Sequence, residues 1–131
     1  MKYILTVTFF VILIGLPLTE SAGESGNYEE TNTTFKLHGR LMIFNGTPSF
    51  RIWIIGTNRI LGVPGGDTEP AEMPGKLEKL FTSTGIEIYA DFEVTPLRKY
   101  KRGYMQDVRI DSVENLTIYK DGEFYKRKKT L

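Results

Sequence analysis

One histidine, His38, stands in a chain of 131 residues that has no cysteine. Acid–base chemistry therefore has a single imidazole to use, and thiol chemistry has nothing. The partners within conceivable reach of His38 are Asp91 and Glu93, carboxylates at alternate positions of a period-two run, which places both on one side of a strand. Together they form the one acid–base constellation in the sequence. A nucleophile to accompany them is missing, because Ser49, Ser112 and the threonines sit in no G-x-S-x-G elbow. One histidine also excludes a two-His metal centre, and His38, Asp91 and Glu93 lack a metal-ligand spacing. Carboxylates two residues apart on a strand more often make a wet, charged face than a glycosidase pair. The expectation is a protein with no catalytic residue, metal or cofactor. The alternative is a small hydrolase or metal-dependent enzyme using His38 with Asp91 and Glu93.

A second group of residues suits binding. Trp53 and Arg51 alternate with apolar residues on one strand, and Arg40, Arg59 and Tyr89 fall on the corresponding outward positions of other strands. Arg40, Arg51, Trp53, Arg59 and Tyr89 are the expected ligand-binding patch, for a ligand the sequence does not name. The competing assignment has Trp53 covering one end of the core. Charge is balanced overall, 17 Lys+Arg against 16 Asp+Glu, which argues against a dedicated nucleic-acid binder. It is not balanced locally. Residues 66–97 hold seven acids and two lysines, whereas residues 98–131 hold ten bases and five acids. Arg98, Lys99, Lys101 and Arg102 are the expected anion-steering group of this basic stretch. The same asymmetry would also arise if acidic and basic strands simply pair with one another.

The elements that must position these residues are strands. Phe35, Leu37, Leu41 and Ile43 share one face with Gly39 in step, while Lys36, His38 and Arg40 point the other way. Asn45-Gly46 signals a hairpin turn, after which Phe50, Ile52 and Ile54 alternate with Arg51, Trp53 and Ile55. Gly56-Thr57-Asn58 is a further turn before the short strand 59–63. A loop with three prolines and three glycines fills 64–75, and Leu77, Leu80 and Phe81 have the spacing of a short helix over 76–81. Ile86 to Val94 alternates cleanly. After the basic loop, a strand covers 104–113, Leu116 to Tyr119 extends the sheet, and Asp121-Gly122 can let Glu123-Phe124-Tyr125 fold back. The basic residues 126–129 are expected to fray into solvent.

The first 23 residues read as an address. Lys2 precedes an apolar run, Ile4 to Leu16, that Pro17 ends, and small residues cluster at Ser21-Ala22-Gly23. This is the layout of a secretory signal peptide, and the run is short for a membrane span. Residues 24–34, with almost no apolar side chain, read as a disordered leader. The domain organisation is then a signal peptide over 1–23, the leader over 24–34, one β-domain over 35–119 and a basic tail over 120–131. The expected location is exported, periplasmic or secreted. A membrane is involved only if the signal segment stays uncut, which would make the chain an anchored structural envelope protein. Sequons at Asn32, Asn45 and Asn115 matter only in a eukaryotic secretory route.

Three meandering strands, a long connection with one short helix and two further strands are the element order of an OB-fold, a five-stranded Greek-key barrel. The stretches His38-Gly39-Arg40-Leu41, Asn45 to Trp53, Arg59-Ile60-Leu61-Gly62-Val63 and Tyr89 to Val94 resemble small, exported, uncharacterised bacterial proteins over most of 35–116. In layout the chain is also similar to the bacterial OB-fold family of small periplasmic proteins. These resemblances imply an exported OB-like domain and carry no site residue across. The expected function is a non-catalytic binding or interaction module whose partner is an unknown small ligand or an envelope protein. If the signal reading is right, mass spectrometry of the protein from its own host gives a 108-residue chain beginning at Glu24. A full 131-residue chain would refute it.

Overall fold

The computed structural model describes residues 33–131. The expected signal peptide, most of the leader and the Asn32 sequon lie outside the described residues. Six strands and one helical turn follow in order: β1 Phe35–Ile43, β2 Phe50–Ile54, β3 Ile60–Val63, α1 Gly75–Glu78, β4 Ile86–Pro96, β5 Gln106–Lys120 and β6 Glu123–Lys128. All strands belong to one sheet in the order β3-β2-β1-β4-β5-β6, antiparallel throughout except where β3 also pairs with β5 in parallel. No helix among the described residues is long and apolar enough to cross a membrane.

Four expectations are corrected. The sheet has six strands instead of five, and the basic tail does not fray. Asp121 and Gly122 both take positive φ, 51° and 81°, the geometry whose twist matches a two-residue hairpin. This turn folds β6 onto β5, pairing Leu116 with Lys128 and Lys120 with Glu123. The helix is also shorter than its spacing suggested. Pro74 begins it, Leu77 is its buried anchor, and the chain leaves the helical conformation before Phe81 packs edge-on against Phe50 at 5.2 Å. The two segments expected at 104–113 and 116–119 are a single strand. Its 15 residues suffice to meet β3 at one end, β6 at the other and β4 between, with register shifts absorbing the change of direction.

Period-two alternation does what it should. Leu41, Ile52, Leu61, Ile88, Phe92, Val94, Val108 and Ile118 are essentially inaccessible and form one core. Each contributes roughly 1.5–3 kcal/mol by leaving water. Gly39 sits in this inner row, and the reason is steric. A Cβ there would lie 2.6 Å from Ile52 Cγ2, 2.8 Å from Leu37 Cδ1 and 3.1 Å from the Trp53 carbonyl oxygen. β1 can therefore press against β2 only because position 39 has no side chain.

Gly39→Ala is expected to cost about 1–3 kcal/mol of stability, since the Trp53 carbonyl is backbone and cannot swing away. Urea denaturation measures it, and an unchanged midpoint would contradict the packing argument.

Candidate functional site

The cross-strand registers line up one row of outward side chains over the whole sheet. Ile60 of β3 faces Trp53 of β2, Trp53 faces Arg40 of β1, and Arg40 faces Tyr89 of β4. Tyr89 faces Thr117 of β5, which faces Arg127 of β6. Four of the expected patch residues lie on or beside the β1–β2–β3 part of this row. Arg40 stacks over the Trp53 ring at 5.2 Å and pairs with Glu87 at 3.9 Å. The Trp53 indole N–H donates to the Thr57 carbonyl at 2.7 Å, fixing the ring over the β2–β3 turn instead of inside the core. Arg51 donates to the Pro48 carbonyl at 3.0 Å and lies over Phe44. Arg59 donates to the Gln106 side chain and lies 4.8 Å from the Tyr100 ring. Tyr89 stands apart, across Arg40 from the others.

The last of these contacts brings in the basic loop. Gln106 Nε2 donates to the Arg98 carbonyl at 2.9 Å and Arg98 pairs with Asp107 at 3.3 Å, so the loop between β4 and β5 is tied down beside β3. Burial pushes the Asp107 carboxyl above the ordinary aspartate range, and the Arg98 charge opposes that shift. Lys101 lies over Tyr104 at 4.5 Å, and Lys99 and Arg102 are exposed. A groove of about 530 Å³ results, lined by Arg51, Arg59 and Ile60 on one wall and Tyr100, Tyr104 and Met105 on the other. A second hollow of about 320 Å³, formed by Arg40, Phe44, Trp53 and Ile60, adjoins it at Ile60.

Three of the largest exposed apolar side chains converge here, with Ile60 42%, Tyr100 59% and Tyr104 66% exposed. Two buried guanidinium nitrogens, Arg40 Nε and Arg59 Nε, have no hydrogen-bond partner. An unsatisfied buried donor costs about 1–3 kcal/mol, and both belong to side chains that border the two adjoining hollows. The sequence reading named the cations of this site and missed Ile60, Tyr100 and Tyr104. The interleaving of tyrosines with bases in Arg98 to Tyr104 was the signal that pointed to them.

The acid–base constellation divides. His38 Nδ1 is 2.8 Å from Asp91 Oδ1, and Asn115 Nδ2 donates to Asp91 Oδ2 at 2.9 Å. The Asn115 bond first, and the His38 bond next, hold the Asp91 carboxyl below the usual aspartate value. An ionised Asp91 can only accept, so His38 Nδ1 carries the proton it shares. Glu93 is not part of this network and points to Lys36 at 3.9 Å. Among the described residues no group of three or more His, Asp or Glu side chains is placed to hold a metal ion.

Comparison with protein-family models, with curated proteins and with solved structures finds no match for the chain. The site must be read from its own geometry.

Asp91 ionises more readily in the folded chain than in the unfolded one, so its contribution to stability is present above the ordinary aspartate pKa of about 3.9 and disappears as pH falls through the lower folded value. Half-exposed partners limit it to less than about 1 kcal/mol. Asp91→Asn should therefore be slightly less stable than the native chain near neutrality, and the two urea midpoints should converge as pH falls well below that ordinary aspartate value. A constant gap over that range would exclude the assignment.

Proposed function

We propose that the protein is an exported, non-catalytic binding module built on an OB-like barrel, and that its ligand is an acidic oligosaccharide held in the groove between the β2–β3 face and the β4–β5 loop. The pairings β1–β2, β2–β3, β3–β5, β5–β4 and β4–β1 run round a ring of five strands, and that is the connectivity a Greek-key OB barrel requires. β6 is then an addition to the outside of the ring. In folds of this kind the second and third strands and the loop between the fourth and fifth are where oligosaccharides and oligonucleotides lie.

The observation that carries the reading is the meeting of exposed Tyr100, Tyr104 and Ile60 with Arg51 and Arg59 around one groove. Rings and apolar surface cover the faces of sugar rings, and guanidinium forks take carboxylates in two-pronged hydrogen bonds. Arg59 lines the groove and Arg40 the adjoining hollow, so both guanidinium groups border the space a ligand would fill. A formal charge of only +1 provides little of the net positive charge that nucleic-acid binding draws on. The basic loop would draw an acidic oligosaccharide in.

A second reading, general acid–base catalysis at His38, is favoured by one observation, the 2.8 Å bond to Asp91. It has to do without Glu93, which is engaged elsewhere, and without a nucleophile in a recognisable setting.

Trp53, the chain's one tryptophan, makes the test direct. Hexagalacturonate should change its fluorescence saturably, more weakly at 200 mM than at 50 mM salt, while neutral maltohexaose should not. Tyr104→Ala should weaken binding by about tenfold, the scale of one lost ring contact, with no change in unfolding midpoint. Trp53→Ala, followed by calorimetry, should also bind less without unfolding. Tighter binding of hexathymidylate would replace the glycan by a nucleic acid, and no response to any of the three would remove the reading.

A further inference from the structure

The outward side of β4, β5 and β6 carries a separate hollow of about 500 Å³ that shares no lining residue with the groove or with its adjoining hollow. Its floor is aromatic. Tyr89 and Tyr119 meet edge to face at 5.6 Å, and Tyr119 meets Phe124 in the same way at 6.2 Å. Its rim holds His38 and Arg127, with Thr117 next to both Tyr89 and Arg127 in register. No described carboxylate lies within ion-pair reach of the Arg127 guanidinium, which is exposed. Glu87 lines the hollow too, and Arg40 already faces it at 3.9 Å.

His38 is oriented here by what lies behind it. Asp91 fixes Nδ1, and Asn115 in turn fixes Asp91. Asn115 is itself held, in an uncommon positive-φ conformation of 53°, by its backbone N–H donating to the Lys129 carbonyl at the end of β6. The strand that supplies Arg127 thus also sets the support of His38. With Nδ1 taken, Nε2 is the remaining polar atom of the ring, an acceptor when the ring is neutral and a donor when it is protonated.

We propose that this hollow is a second ligand site, for a small planar organic monocarboxylate. The carboxylate is taken by the two-pronged Arg127 fork and by the Nε2–H of protonated His38, and the ring of the ligand lies on Tyr89 and Tyr119. The hollow has the size of a site for one small molecule. Glu87 disfavours a second negative charge on the ligand, which selects a single carboxylate on a neutral ring. Because neutral His38 presents a lone pair at Nε2, binding tightens as the imidazole gains its proton. The ionisable groups around that imidazole are Asp91 at Nδ1, Glu87 and Arg127 in the hollow, Arg40 on Glu87, Glu114 opposite Asp91, and the Lys36–Glu93 pair one register step away.

The test uses benzoate as probe and the full chain. His38 is the one histidine of the sequence, so its imidazole Cε1–H gives a single NMR signal that needs no assignment. At pH 5.5 benzoate should move that signal saturably, and at pH 8 the affinity should be lower by about fivefold or more. Arg127→Gln should weaken binding by about tenfold, the scale of a charge-assisted contact, with an unchanged fold. Should that variant disturb the fold, Arg127→Lys keeps the charge, lacks the fork and should show an intermediate loss. Acetate, without a ring, and benzyl alcohol, without a carboxylate, should each bind more weakly than benzoate. A signal that benzoate leaves in place, equal affinity in the Arg127 variants, or equal binding of acetate and benzoate would overturn the proposal. None of these outcomes bears on hexagalacturonate, which is read at Trp53.

Discussion

Two residue pairs carry a disproportionate share of the architecture: Leu61 with Gln106 and Gly62 with Asp107, the parallel contact between β3 and β5. Without it the sheet would end in two free edges and the β4–β5 loop would have no reason to lie near β3. The contact tolerates no bulk. A Cβ on Gly62 would stand 2.5 Å from Pro48 Cγ and 2.8 Å from the Asp107 carboxylate. Side-chain bonds then reinforce it, from Arg59 to Gln106, from Gln106 to the Arg98 carbonyl and from Arg98 to Asp107. The groove is a by-product of this junction, since its two walls are the two segments that the junction brings together. Burial of Asp107 beside Arg98 is the electrostatic cost, visible in its raised pKa.

The row Ile60, Trp53, Arg40, Tyr89, Thr117, Arg127 follows from the same geometry, because side chains opposite one another in a sheet must share a face. Five strand spacings of about 4.8 Å give it a length of roughly 24 Å along the surface. Arg40 stands in the middle and divides it. On one side it stacks on Trp53, on the other its guanidinium reaches Glu87. That division explains why Tyr89, which alternation alone groups with Trp53, belongs to a different hollow.

What the sequence disclosed depended on how local the cause was. Alternation in Ile86 to Val94, the turn at Asp121-Gly122 and the inner row with Gly39 all rest on neighbours in the chain, and they read correctly. The sixth strand was legible at its start, where the turn lets Glu123 to Tyr125 fold back, but not in Lys126 to Lys128, which are charged and carry no buried alternation. Its partner strand and its turn create it. The His38–Asp91 bond was foreseeable from two outward-facing strands, whereas Glu93 falls opposite Lys36 only through the β1–β4 register, which alternation within either strand does not set. The site's cations were legible by type, whereas its tyrosines were marked only by their interleaving with bases, since the β3–β5 junction that brings Tyr100 beside Arg59 links residues more than 40 positions apart.

Charge completes the argument about where a ligand would go. The acidic half of the chain and the basic half do not cancel one another across the sheet. The carboxylates of β4 are answered by β1: Glu93 by Lys36, Asp91 by His38 and Glu87 by Arg40. In the basic half, Asp107 and Asp111 take up Arg98 and Arg109. The β4 carboxylates are therefore answered locally, and the bases of the loop, Lys101 and Arg102 among them, and of Lys126 to Lys129 at the end of the chain are left on the exposed surface. These two clusters flank opposite ends of the cross-strand row. The row thus runs from the basic loop to the basic strand end with Trp53 and Tyr89 on either side of Arg40, so cationic and aromatic side chains alternate along one face of the sheet.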